Sequence, residues 1–252
     1  MSDPAPSANP NNTTPATVRT WREALRLYLQ PASLRMLALG FAAGLPLLLV
    51  LGTLSFRLRE AGIDRSTIGY LSWVGLAYGV KWMWAPLVDR LPIPWLTRQL
   101  GRRRSWLLVS QLVIALGLVG MALNDPSQLL GPLVACALAV AIASATQDIA
   151  LDAYRIESAE VNAQAALAAS YQTGYRLAMI WAGAGVLWVA AWAQGEQATG
   201  YSQAAWQAAY LVMALSMLPG MWVVLASPEP VPAPFAPARN VAEWLKGAVV
   251  EP

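Results

Sequence analysis

The sequence predicts an all-α integral membrane protein, a bundle of six spanning helices, and three observations lead there. Apolar residues make up 57% and charged residues 12% of the 252 positions, where a soluble domain carries roughly 25% charge. Six stretches approach the length of about 20 apolar residues needed to cross a hydrocarbon core of about 30 Å. Charges interrupt those stretches at few places, and the basic ones gather in short connections. A soluble protein of this length would lack the polar surface to cover six such helices. The 12 Trp and 8 Tyr suit a chain with many positions at the bilayer interface.

Residues 1–18 are rich in Pro, Asn, Ser, Thr and Ala and lack a basic stretch followed by an apolar core, which reads as a disordered tail rather than a signal peptide. Residues 19–33 read as an amphipathic helix on the membrane surface. Trp21, Leu25, Tyr28 and Leu29 share one face, and Arg22 and Arg26 lie on another. The six-span bundle occupies residues 34–227: Met36 to Phe56, Thr67 to Val88, Ser105 to Leu123, Leu129 to Leu151, Ser170 to Ala193 and Ala204 to Ala226. Residues 228–252 open with a Pro-rich connection and read as the start of a cytoplasmic linker.

Span one carries Pro46, which removes an intrahelical hydrogen bond and predicts a bend. Gly40 and Gly44, and Gly75 and Gly79, each place two glycines on one helical face, a pattern that lets backbones approach in lipid. Cys136 lies in an apolar run, and a single cysteine excludes an internal disulfide. With no histidine in the chain, a His/Cys metal site is excluded, no cofactor is expected, and any proton coupling falls to carboxylates.

The distribution of Lys and Arg orients the bundle, because short cytoplasmic loops retain them. Arg19, Arg22, Arg26 and Arg35 precede span one, and Arg90, Arg98, Arg102, Arg103 and Arg104 follow span two. Asp125 and Glu196 are the charges in the third and fifth connections. Both ends of the segment are then cytoplasmic. Arg57, Arg59 and Arg65 fit this badly, since they fall outside, offset in part by Glu60 and Asp64.

The charges inside the spans concentrate in the cytoplasmic half. Lys81 lies roughly 21 Å along span two, with Asp89 roughly 12 Å beyond. Asp148, Asp152 and Arg155 are four and three residues apart, which puts them on one helical face, and Gln172 and Arg176 repeat the four-residue spacing on span five. Lys81, Arg155 and Arg176 balance Asp89, Asp148 and Asp152, so the layer can neutralise itself. Three roles fit it: a gate of charge pairs, a site where a carboxylate exchanges a proton while a cation meets an anionic substrate, or static helix glue. Tyr78, Trp82, Trp84, Gln147, Tyr154, Tyr171, Gln172 and Tyr175 surround it, and aromatic rings with amides suit a sugar. Trp82, Gln147 and Gln172 are candidate ligand contacts. An integral-membrane enzyme would need a nucleophile or metal cluster beside the carboxylates, and neither is found; the chain is not read as an enzyme. A receptor or assembly protein using the arginine loop stays as an alternative.

Asp89-Arg90 followed by Gly101-Arg102-Arg103-Arg104 resembles the loop between spans two and three of the major facilitator superfamily, with residues 91–100 lengthening the usual spacing. The wording at residues 40–49, 81–90, 101–106, 145–155 and 174–176 together resembles the muropeptide permeases of bacterial inner membranes, and related acetyl-coenzyme A transporters share parts of it. That resemblance implies the amino-terminal half of a proton-driven importer of anhydromuropeptides serving peptidoglycan recycling. Lys81, Trp82, Gln147, Gln172, Tyr175 and Arg176 would face substrate, and Asp89, Asp148, Asp152 and Arg155 would couple protons or gate. Arg90, Gly101, Arg102 and Arg103 would form the superfamily loop. An acyl-coenzyme A or phosphorylated metabolite is the alternative cargo. The expected partners are a sugar-peptide, protons, the bilayer and a missing carboxy-terminal half, with no nucleic acid; the chain reads as an amino-terminal fragment that does not alternate access alone.

Overall fold

A computed structural model describes residues 26, 28–158, 161–195 and 200–230, without the side chains of 161 and 162. The expected tail, most of the interfacial helix and the linker beyond residue 230 lie outside the described residues. Among the described residues every regular element is helical. Five helices have the length and apolar character to cross a membrane: α1 (Pro31–Glu60), α6 (Arg102–Leu123), α7 (Leu130–Glu157), α8 (Ala163–Gln194) and α9 (Gln203–Ala226). Between α1 and α6 lie short pieces, α2 (Arg65–Leu71), α3 (Leu76–Gly79), α4 (Ala85–Arg90) and α5 (Leu96–Leu100).

The expected second span is therefore not one helix. Tight turns at Ser72–Gly75 and Lys81–Met83 interrupt it. Val80 (φ −100°, ψ 6°) and Trp84 (φ −111°, ψ 0°) leave the helical region. Pro86 removes a donor and would crowd the carbonyl one turn before it, so the chain restarts at Ala85 with proline in its first turn. The broken run still crosses the bundle's depth. Asp64 begins it beside Glu60, and Asp89 ends it at Arg103, 2.6 Å away.

The bundle thus has two ends. At the Arg57 end meet the last turn of α1, the α6–α7 connection and the start of α9. At the Arg103 end meet α4, the start of α6 and the ends of α7 and α9.

Glycine brings α1 and α8 together, as its spacing predicts for span one. A methyl at Gly40 would overlap the Tyr171 carbonyl, one at Gly44 the Tyr175 backbone, and one at Gly174 the Leu37 carbonyl. The second glycine pair does not act this way: Gly79 has nothing within 4 Å, and Gly75 meets only the Leu51 side chain. Pro46 is buried inside α1, and the helix widens into a π turn at Leu49–Thr53 just after it. A matching turn occurs at Trp181–Gly185 of α8. Each takes an extra donor from a neighbour: Tyr210 Oη donates to the Leu49 carbonyl (3.1 Å) and Thr53 Oγ1 to the Ala182 carbonyl (2.8 Å).

Two apolar clusters fill the bundle. The larger joins Leu45, Leu49, Ile114, Leu118, Ala137, Ala182 and Tyr210. The smaller, toward the Arg103 end, joins Met36, Leu39, Val88, Leu107, Leu151 and Tyr154.

Candidate functional site

Lys81 and Asp148 meet inside the bundle, Nζ to Oδ2 at 3.7 Å. The tight turn at Lys81–Met83 presents the ammonium to α7, and Trp84 Nε1 donates to Thr146 Oγ1 at 3.2 Å, two residues before Asp148 on the same helix. The Asp148 side chain is 15% exposed, and its second oxygen has no protein partner. Tyr171 and Tyr175 lie near it on α8, their ring centroids 6.0 Å apart. Gln147 is fully buried, and neither atom of its amide finds a protein partner. Gln111 of α6 is another such amide, at a similar depth given that Gly117 meets Val140 across the α6–α7 contact. A buried amide without a partner costs about 1–3 kcal/mol, so these positions suit water or a polar ligand.

The remaining candidates divide into separate levels, not one balanced layer. Asp152 is exposed and pairs with Arg155 on its own helix at 3.5 Å. Gln172 and Arg176 lie on an exposed face of α8, and Arg176 forms no ion pair among the described residues. Trp82 is 70% exposed. It does not share an environment with the half-buried Tyr78, because the helix breaks at Val80 between them. Tyr175 is half-buried.

Asp89 belongs to a cluster at the Arg103 end. Arg103 donates to Asp89 Oδ1 (2.6 Å) through Nη1 and to Glu157 Oε1 (2.7 Å) through Nη2, tying α4, α6 and α7. Its backbone N–H and that of Arg104 donate to the Glu229 carboxylate at 2.8 and 3.1 Å, which satisfies the first turn of α6. In return Arg104 donates to the Val224 and Leu225 carbonyls at the end of α9. Gly101 sits at φ +88°, and a side chain there would overlap Glu229, so two constraints call for glycine. Arg102 lies in the field of Asp89, Glu157 and Glu229, and Arg90 closes α4 beside them. A cavity of about 280 Å³ opens next to the cluster, lined by Arg35, Met36, Tyr154, Glu157 and Glu229 among others.

Sequence reasoning missed Glu157, Glu229, Gln111 and Arg57. The Arg57 side chain is fully buried. Nη1 donates to the Met121 carbonyl (2.6 Å), Nη2 to the Asn124 carbonyl (2.7 Å) and to Gln203 Oε1 (2.8 Å), and Tyr210 presents its ring 5.3 Å from Cζ. Gln203 Nε2 donates to the Ala122 carbonyl at 3.0 Å, and Tyr201 Oη to Asp125 at 3.1 Å. Desolvation pushes the Asp125 carboxyl up, but donors from Ser127 and Tyr201 and the nearby Arg57 outweigh it and hold the group below its ordinary value. No group of three or more potential metal ligands occurs among the described residues.

The profile of a family described as acetyl-coenzyme A transporter 1 matches residues 33–131. The chain is 37% identical over 231 residues to the anhydromuropeptide permease of Escherichia coli (strain K12), which covers 90% of this chain and 43% of that protein. It is 36% identical over 177 residues to a putative transporter, AmpG 4, of Rickettsia felis, covering 70% of this chain and 40% of the relative. The chain thus spans less than half the length of these curated relatives. Over that part it is homologous to transporters of the muropeptide-permease kind, and the likeness is to permeases, not to enzymes. It is an all-α, multi-pass membrane protein.

Proposed function

We propose that this chain supplies the amino-terminal half of a proton-coupled importer of anhydromuropeptides in the bacterial inner membrane, with the Arg103 end toward the cytoplasm. The observation that carries the reading is the Lys81–Asp148 pair, an ammonium and a half-engaged carboxylate inside a membrane bundle. Ionisable groups at such depth are retained for what they do, since each costs several kcal/mol unless countered. A proton taken by Asp148 releases Lys81 to meet a carboxylate of the cargo, and loss of that proton restores the pair. Trp82, Gln147, Gln172, Tyr175 and Arg176 are assigned to cargo contact, and Asp89, Asp152, Arg155, Arg90, Gly101, Arg102 and Arg103 to gating. The orientation gains support from Arg57. Its guanidinium is consumed by α6 carbonyls and drops out of the loop count that stood against the scheme.

The match at residues 33–131 favours a second cargo, an acyl-coenzyme A. Gradient-driven uptake of a labelled anhydromuropeptide by the full-length gene product in proteoliposomes separates the two. The expected result is uptake that acetyl-coenzyme A does not compete for and that loses its dependence on the proton gradient in Asp148→Asn. Uptake with unchanged gradient dependence in that variant removes Asp148 as the coupling group. Competition by acetyl-coenzyme A shifts the assignment to the second cargo.

A further inference from the structure

Three arginines cluster at the Arg57 end, and the fold accounts for only the first. Arg59 and Arg65 are exposed, and neither side chain forms an ion pair or hydrogen bond among the described residues. The adjacent carboxylates are already committed. Glu60 accepts from Trp206 Nε1 at 2.7 Å. Asp64 accepts from the Ser66 hydroxyl, from Thr67 N at 2.9 Å and from Thr67 Oγ1 at 2.7 Å, and those bonds hold its carboxyl well below the usual range. Both arginines line one cleft of about 350 Å³, shared with Gly52, Ser55, Phe56 and Ile68. That volume lies within the range of small-ligand sites, about 300–1,000 Å³.

We propose that Arg59 and Arg65 form a vestibule that takes the carboxylate of an anionic organic solute at the mouth of the bundle. Guanidinium forks match a carboxylate in two-point hydrogen bonds, and each such charge-assisted contact is stronger than a neutral one. The wall beside them is partly apolar, from Phe56 and Ile68, which suits an organic acid over a bare inorganic ion. Arg65 stands at the start of the broken run whose far part carries Lys81, sixteen residues or roughly 24 Å on at helical rise. A carboxylate held first at Arg59 and Arg65 has a second cation ahead of it along the same segment. Naming this end the entrance rests on the import reading above; the anion site itself does not.

The test is equilibrium binding without a gradient, so its failure is distinct from a failure of transport. The chain in phosphatidylcholine nanodiscs is titrated with ¹³C-labelled N-acetylalanine, and with N-acetylalaninamide, which lacks the carboxylate. The carboxylate probe is expected to bind, more weakly at high salt, and the amide is not. Arg59→Gln with Arg65→Gln should raise the dissociation constant about tenfold. Arg59→Lys with Arg65→Lys, which keeps the charge and loses the planar fork, should fall between that variant and the parent. Equal binding of both probes, or equal binding by the Gln double variant with unchanged circular dichroism, overturns the proposal. A second arm adds phosphatidylglycerol to the nanodiscs. Arginine-dependent retention of that lipid, with no binding of the free carboxylate in phosphatidylcholine, overturns it too, in favour of a headgroup contact.

Discussion

The two ends of the bundle fasten their helices by different chemistry. At the Arg103 end the fasteners are pairs of opposite charge between separate helices: the Arg103 guanidinium is itself buried, but its partner Asp89 is 36% exposed at its side chain and Glu157 12%. At the Arg57 end one fully buried cation is held by neutral oxygens, the last carbonyls of α6 and the Gln203 amide. A carboxylate that already reaches water, as Asp89 does, can be hydrated when its pair separates, so this joint parts at lower cost. A buried guanidinium leaving carbonyls has nothing to replace them, and the helix end it caps loses its acceptors' partners as well. On this chemistry the Arg103 end is the joint more easily parted and the Arg57 end the more firmly fixed.

The contrast is broken most strongly at Arg57. Arg57→Gln should take the guanidinium donors from the Met121 and Asn124 carbonyls, at about 1–3 kcal/mol for each buried group, leave Gln203 with its bonds to Tyr201 and Ala122, and lower stability by about 3–5 kcal/mol in thermal unfolding in detergent. A change under about 1 kcal/mol would remove the fixed joint. Arg103→Gln should cost less, about 2–3 kcal/mol. A double-mutant cycle with Glu157→Gln should return a coupling of about 1–2 kcal/mol that shrinks at high salt. Salt-independent coupling would argue that this end is as dry as the other. The smallest effect is expected from Asp125. Its folded value lies below the ordinary one, so its contribution is complete above the unfolded carboxylate range near pH 3.9 and is lost as pH falls through the folded value. Because the group is mostly solvated, the loss should stay under about 1 kcal/mol, and Asp125→Asn should flatten that acid limb of the melting curve.

Legibility in the sequence followed the range of each interaction. The five long helices are readable because an unbroken apolar run is a local signal, and so is the close approach at Gly40 and Gly44, since four-residue spacing sets a face, although the partner α8 is not. Lys81 and Asp148 were singled out because depth alone makes an intramembrane charge conspicuous. Glu157 lies beyond the apolar run that ends at Leu151, yet no helix breaker intervenes before Ser158 and the helix continues to it. Glu229 sits between prolines in what read as a linker, and its contacts to Arg103 and Arg104 cross more than 120 residues, a separation that leaves no periodic trace. Arg57 was counted as loop charge because nothing in its neighbours reveals that its acceptors lie on α6. The interruption of the second span is signalled by Pro86, whose missing N–H and ring stop a helix from running through it. The bridge conformation at Val80, which parts Trp82 from Tyr78, carries no such signal.

One consequence follows from the widened turns of α1 and α8. A single added residue swings everything beyond it about 100° around a helix axis, enough to carry a side chain from one neighbour to the next. Because both helices accept that insertion side by side and are stitched there through Thr53, their outer halves are rotated in step. Rewinding either turn would swing the part of that helix beyond it away from the neighbours it now meets, while the glycine seam before the turns stayed where it is. The two insertions thus set which faces of α1 and α8 meet beyond the glycine seam.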